Sequence, residues 1–99
     1  MKAIFDMRNH NWMPDIENNI LFLNYSQNYF NELLKARGYV KIFEVYKHLG
    51  LELDLDRLCE VKDPSRLWWR YDRGDFIDFG MAPLKSQNVV YLDFNIEID

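Results

Sequence analysis

From Val89 to Ile98 the chain reads VVYLDFNIEI: Val90, Leu92, Phe94, Ile96 and Ile98 alternate with Tyr91, Asp93, Asn95 and Glu97. Side chains alternate across a strand, so this period of two predicts a half-buried β-strand over Val89–Ile98 with one apolar face. A slip of one residue would turn five apolar side chains to water, which specifies the register strongly. Leu67–Asp72 (LWWRYD) is rich in β-formers, and Phe76–Met81 puts Ile77, Phe79 and Met81 on one side. Asp72-Arg73-Gly74-Asp75 between them reads as a tight turn. These three strands predict an antiparallel meander. Met1–Arg8 also alternates and is a candidate edge strand, and Pro83–Asn88 reads as a loop.

Elsewhere the period changes to that of a helix. Tyr29, Phe30, Leu33 and Leu34 form one stripe, which predicts a helix over Ser26–Arg37. Ser26 is its expected N-cap, Tyr25 its staple onto Phe30, and Gly38 its stop. Asn28, Asn31, Glu32 and Lys35 are expected to face water. A second helix is predicted over Val40–Leu49, with Ile42, Phe43, Val45, Tyr46 and Leu49 as its apolar side and Gly50 as its stop. An amphipathic helix and a one-faced sheet each need a partner. The fold class is therefore α+β, two helices on a three-stranded antiparallel meander, with an N-terminal strand as a candidate addition. Phe30, Leu34, Phe43, Tyr46, Phe79, Leu92, Phe94 and Ile96 are the expected core. Asn9–Asn19 is turn-rich, with Trp12 and Met13 pinning it to the core. Ile20–Leu23 fits strand or helix. In Glu52–Arg66, alternating Leu51, Leu53 and Leu55 compete with a helical turn through Leu55, Leu58 and Val61.

Ninety-nine residues make one small domain. A formal charge of −4 argues against wide, sequence-independent binding to nucleic acid. One cysteine, Cys59, excludes an internal disulfide, and two histidines far apart, His10 and His48, give no zinc pattern. Cys59 reads as a small buried hydrophobe, and nothing places His48 beside it as a catalytic base. His48 itself reads as a last-turn helix residue. Glu52, Asp54 and Asp56 begin like a calcium loop but lack its glycine and its twelfth-position glutamate. Asp72, Asp75 and Asp78, with Asp93, would crowd one sheet face, yet no histidine or lysine is placed with them for acid–base work. The expectation is a protein that is not an enzyme and has no cofactor or metal. No leader-like or membrane-length apolar run is seen, so an intracellular, cytoplasmic location is expected, with no membrane association.

Only in one place do basic and aromatic residues interleave: Arg66, Trp68, Trp69, Arg70, Tyr71 and Arg73. On a strand, Trp68 and Arg70 face one way, and Trp69 and Tyr71 the other. One tryptophan then belongs to the core and the other to the surface. Aromatic residues with arginine compose binding hot spots and also base-stacking sites.

The segment YFNELLKARGYVKIFEVYKHLGL from Tyr29 to Leu51, then Trp69, then DFIDFG from Asp75 to Gly80, then LDFN from Leu92 to Asn95, resembles the C-terminal region of uncharacterised proteins of phages and conjugative elements from low-GC Gram-positive bacteria. The likeness departs at Lys41-Ile42-Phe43, at Trp68 where the pattern has glycine, and between the helices and the sheet. It implies a mobile-element origin and a small α+β domain, and carries no catalytic residues. With the size and acidity of the chain it leads to an expected role: an accessory protein that binds and inhibits a host defence factor, in the manner of an anti-CRISPR. Its acidic surface would then occupy the basic channel of a nuclease effector complex. The expected contact residues are Glu52, Asp54, Asp56, Glu60, Asp63, Trp68, Asp72, Asp75 and Asp78. The alternative is a module that binds nucleic acid or a nucleotide messenger through Trp68, Arg70 and Arg73. A structural or regulatory component of a virion or plasmid is a third reading.

Overall fold

The computed structural model describes residues 1–97. It is an α+β fold with an N-terminal strand: β1 (Lys2–Phe5), α1 (Ile16–Arg37), β2 (Tyr39–Lys41), α2 (Ile42–Leu49), α3 (Leu55–Cys59), β3 (Trp68–Arg70), β4 (Ala82–Leu84) and β5 (Val89–Asp93). Two antiparallel sheets form, one ordered β1-β5-β4 and one made of β2 and β3. The expected meander is thus re-paired. β5 is the central strand, but its neighbours are β1, with Ala3 opposite Leu92, and β4, with Pro83 opposite Val90. Proline is tolerated there because β4 is an edge. The chain assigned to Leu67–Asp72 narrows to β3, flanked by 3-10 turns at Pro64–Leu67 and Tyr71–Arg73, and pairs with β2.

Phe76–Met81 is not a strand. Its alternation is real, since Ile77 and Phe79 are buried, but the backbone is fastened by side-chain amides. Asn31 on α1 accepts from the Ile77 N–H at 2.8 Å and donates to the Ile77 carbonyl at 2.9 Å. Gln27, one turn earlier, accepts from the Phe79 N–H at 2.8 Å. On the other side Asn95 accepts from the Asp78 N–H and donates to the Phe76 carbonyl. Asn31 therefore does not simply face water. The strap touches the chain leaving β5 through Asp93 N–H to Phe79 C=O and Asn95 N–H to Asp78 C=O. Gly80 ends it in a left-handed conformation, φ +58°, where a Cβ would stand 2.3 Å from the Asp93 carbonyl oxygen.

α1 begins ten residues before the expected Ser26, at Ile16, capped by Asp15, whose carboxylate accepts from the Glu17 N–H. Its buried stripe is Asn19, Leu23, Ser26, Phe30 and Leu34. Two members are polar, which hid the period. Asn19 is satisfied by the Met13 N–H and C=O, so it ties the turn-rich loop down. Ser26 lies mid-helix, and its hydroxyl has no partner among the described residues. Tyr25, the expected staple, is 74% exposed.

α2 starts at Ile42 because Val40 belongs to β2. Ile42, Val45, Tyr46 and Leu49, spaced i, i+3, i+4 and i+7, are its buried residues. Phe43 falls outside that stripe and is 38% exposed, so it leaves the expected core. The other seven expected core residues are buried, joined by Phe5, Leu23, Trp69 and Ile77 among others. Phe94 stands at the centre, its ring 5.2 Å from both Tyr46 and Phe79. The face of Val90, Leu92, Phe94 and Ile96 holds beyond the end of β5. Ile98, its last expected member, lies outside the described residues. Trp12 packs its ring 5.6 Å from Phe5, as its loop position predicts.

Candidate binding face

The register of the small sheet sets up the site. Tyr39 lies opposite Arg70, Val40 opposite Trp69, and Lys41 opposite Trp68. Alternation sends Val40 and Trp69 into the core, where both are buried. It sends Tyr39, Lys41, Trp68 and Arg70 outward together. The two tryptophans are thereby separated: Trp69 is core, with its indole N–H donating to Asn95 Oδ1 at 2.9 Å, and Trp68 is half-buried on the surface.

Trp68 is ringed by its neighbours. Tyr39 lies 5.7 Å away between centroids, and the Lys41 ammonium sits 4.5 Å above the indole. The Arg37 guanidinium covers Tyr39 at 4.3 Å. Arg37 also pairs with Glu44 at 2.5 Å. Burial opposes the Glu44 charge, but the bonds from Arg37 and from the Lys41 N–H outweigh it and hold the carboxyl below its usual range. On the other strand Arg70 pairs with Asp72, and Arg73 pairs with Asp75 while donating to the Trp68 carbonyl at 2.6 Å. A hollow of about 450 Å³ opens beside Trp68 toward Arg37, Tyr39, Arg70 and Tyr71. A second, of about 310 Å³, opens toward Arg66, Arg73, Phe76 and Asn95.

The expected acidic contacts divide into two sorts. Asp54 caps α3 at the Arg57 N–H, and Asp63 caps the turn at Ser65 through both its N–H and its hydroxyl. The Ser65 bonds hold the Asp63 carboxyl below its usual range. Asp72 and Asp75 hold arginines, and Asp78 accepts from the Gly80 N–H. These five carboxylates are occupied inside the fold. Glu52, Asp56 and Glu60 are exposed and make no hydrogen bond or ion pair among the described residues. Asp72, Asp75 and Asp78 do not converge with Asp93, and among the described residues no three metal-ligating side chains come together. Cys59 is exposed rather than buried, because it closes the short, solvent-facing α3. Sequence reasoning placed Trp68, Arg70 and Arg73 here but missed Arg37, Tyr39 and Lys41. An apolar-looking Tyr39-Val40 joined to α2 concealed a three-residue strand. No helix among the described residues is long and apolar enough to cross a membrane.

These features define a small α+β domain with a solvent-facing aromatic and cationic ribbon. Over residues 2–99 the chain belongs to the family described as Family of unknown function (DUF6353). No curated protein and no solved structure matches it.

Proposed function

We propose that this is a non-catalytic binding protein that engages a protein partner through the outer face of the β2–β3 ribbon, with Trp68 as the anchor desolvated on binding. The observation that carries this reading is Trp68 itself: half-buried, flanked by Tyr39, Lys41 and Arg70, with a hollow on either side. Tryptophan, tyrosine and arginine are the residues that dominate binding energy at protein interfaces. Nucleic acid is the less favoured ligand. Arg37, Arg70 and Arg73 already hold carboxylates, whereas phosphate neutralisation draws on uncommitted cations.

The partner to test first is the one that the resemblance, the small size and the acidity together lead to, a host nuclease effector complex. Glu52, Asp56 and Glu60 would supply steering charge toward its basic channel, an effect that weakens with salt. The test is capture of purified effector complexes by the immobilised protein, compared with Trp68→Ala and with Glu52, Asp56 and Glu60 reversed to lysine. Trp68→Ala is expected to weaken capture about a hundredfold, the size of a hot-spot loss, while the domain stays folded with a modestly lowered melting temperature from its lost packing on Tyr39 and Lys41. The reversals are expected to slow association. Capture undiminished by Trp68→Ala refutes the anchor. Binding of a single-stranded oligonucleotide that is lost in Trp68→Ala moves the reading to nucleic acid.

A further inference from the structure

The sheet ordered β1-β5-β4 has two outer edges, and they differ. Phe94 donates its N–H to the Met1 carbonyl at 2.8 Å and accepts from the Met1 nitrogen at 3.0 Å. Bonded pairs alternate along an antiparallel ladder, so Ala3 with Leu92 and Phe5 with Val90 are the next two. The N–H and C=O groups of Lys2 and Ile4 then point away from β5, and none bonds another backbone group among the described residues. On the far side of β5 the same alternation turns Pro83 outward, and proline has no N–H to offer. The β4 edge is thus blunted, while the β1 edge keeps unpaired donors and acceptors, the template on which another strand pairs.

The β1 edge forms one wall of a groove of about 580 Å³. Residues 1–4 line it in unbroken succession. Side chains alternate between the faces of a strand, so a hollow that touches every residue runs along the edge. Leu51, Glu52 and Asp54 line the opposite wall. That wall is unpaired too: Glu52 and Leu53 make no backbone–backbone hydrogen bond among the described residues. Tyr46 also lines the groove; it is 2% exposed and its hydroxyl has no partner. Burial pushes that phenol up to about 12, so it stays neutral and can donate or accept. We propose that this groove binds an extended, basic segment of a protein partner, which adds to β1 as a fourth strand of the sheet. The occupant follows from the walls. Backbone groups in a row are matched by another extended backbone, the mode of strand addition. The second wall leaves room for one chain, where the sheet of a second copy would need an open flank. Charge sets the side-chain preference. Glu52 is exposed and unpaired, and Asp54 spends one carboxylate oxygen on the Arg57 N–H, so lysine or arginine on the incoming strand is favoured there. Arg8 offers no counter-field, because Asp6 holds it.

The test screens a bead library of random dodecapeptides against the labelled whole chain and measures the selected peptides in solution. They are expected to carry lysine or arginine, and on binding to slow hydrogen exchange at the Lys2 and Ile4 amides. Two versions of each peptide, N-methylated at alternate residues, separate backbone pairing from side-chain packing. At least one is expected to bind about tenfold more weakly, the loss of a backbone bond. Ile4→Pro removes the outward N–H at an edge position where proline is tolerated, and is expected to weaken binding about tenfold. The methylated peptides leave the protein unaltered, so the pairing is tested even where Ile4→Pro unfolds. Glu52→Lys is expected to weaken binding of the basic peptides about tenfold, and affinity unchanged in that variant overturns the basic preference. A library that yields no binder overturns the proposal, as do binders indifferent to both methylated versions. Exchange protection at Ile4 that rises with protein concentration, without peptide, overturns it in favour of a second copy. Trp68→Ala is expected to leave peptide affinity unchanged; binders lost in that variant belong to the ribbon and overturn the groove, so the two surfaces fail separately.

Discussion

Replacing Asn95 by alanine removes one side chain that serves two parts of the fold. Its amide accepts from the Trp69 indole N–H at 2.9 Å and from the Asp78 N–H at 2.9 Å, and it donates to the Phe76 carbonyl at 2.8 Å. Trp69 is 2% exposed, so its orphaned N–H is the costly loss, about 1–3 kcal/mol for a buried donor left without a partner. The two bonds to the strap lie at the surface, where water takes over, and add only tenths of a kcal/mol. A loss of about 2 kcal/mol follows, a large fraction of the roughly 5–15 kcal/mol that holds a domain together. Urea unfolding followed by tryptophan fluorescence measures it. Native-state hydrogen exchange adds a local reading: the Asp78 amide should lose protection first. The indole supplies a control. Trp69→Phe removes the donor, so Asn95→Ala should cost less in that background than in the wild type, the coupling measured by a double-mutant cycle. A cost under about 0.5 kcal/mol, or equal costs in both backgrounds, would show that Asn95 does not satisfy Trp69.

Ser26→Ala carries a prediction of sign. A capping serine would cost about 1 kcal/mol on replacement. A buried hydroxyl without a partner should instead be neutral or up to about 1 kcal/mol better as alanine, and a thermal melt decides between them. Gly80→Ala should destabilise by more than about 2 kcal/mol, since left-handed strain of about 1–2 kcal/mol adds to a collision with the Asp93 carbonyl. Gly74→Ala is the comparison: φ is +76° but the space is open, so chemical denaturation should report the strain alone, about 1 kcal/mol. Equal losses at the two glycines would contradict the close approach at Gly80.

What could be read from the chain was the period of its apolar positions. What could not was the identity of the hydrogen-bond partners. Val90, Leu92, Phe94 and Ile96 are buried as their alternation requires, and Ile77 and Phe79 likewise. Yet the alternation of Phe76–Met81 predicts a sheet ladder, whereas Gln27, Asn31 and Asn95 hold the backbone instead. Periodicity describes which way a side chain points, not what its backbone bonds to. The early half of α1 is hidden from the pattern because Asn19 and Ser26 occupy its inner stripe. Turn-forming residues in a buried stripe mimic a loop until the loop they fasten is seen. On the ribbon, Trp68, Arg70 and Arg73 stood out by composition. Arg37, Tyr39 and Lys41 reach them only through a pairing between segments distant in the chain, which no local pattern records.

The pairing of β1 with β5 sets Lys2 against Asp93, so β1 has no sheet neighbour until a strand far along the chain joins it. The helices α1 and α2 can form from contacts close in sequence, while β1 waits with Phe5 uncovered. Contacts of such long separation are the slow ones in folding, because the loop between them must be closed before they contribute. Without β5, both β1 and β4 would be left with unpaired edges rather than forming a smaller version of the same sheet.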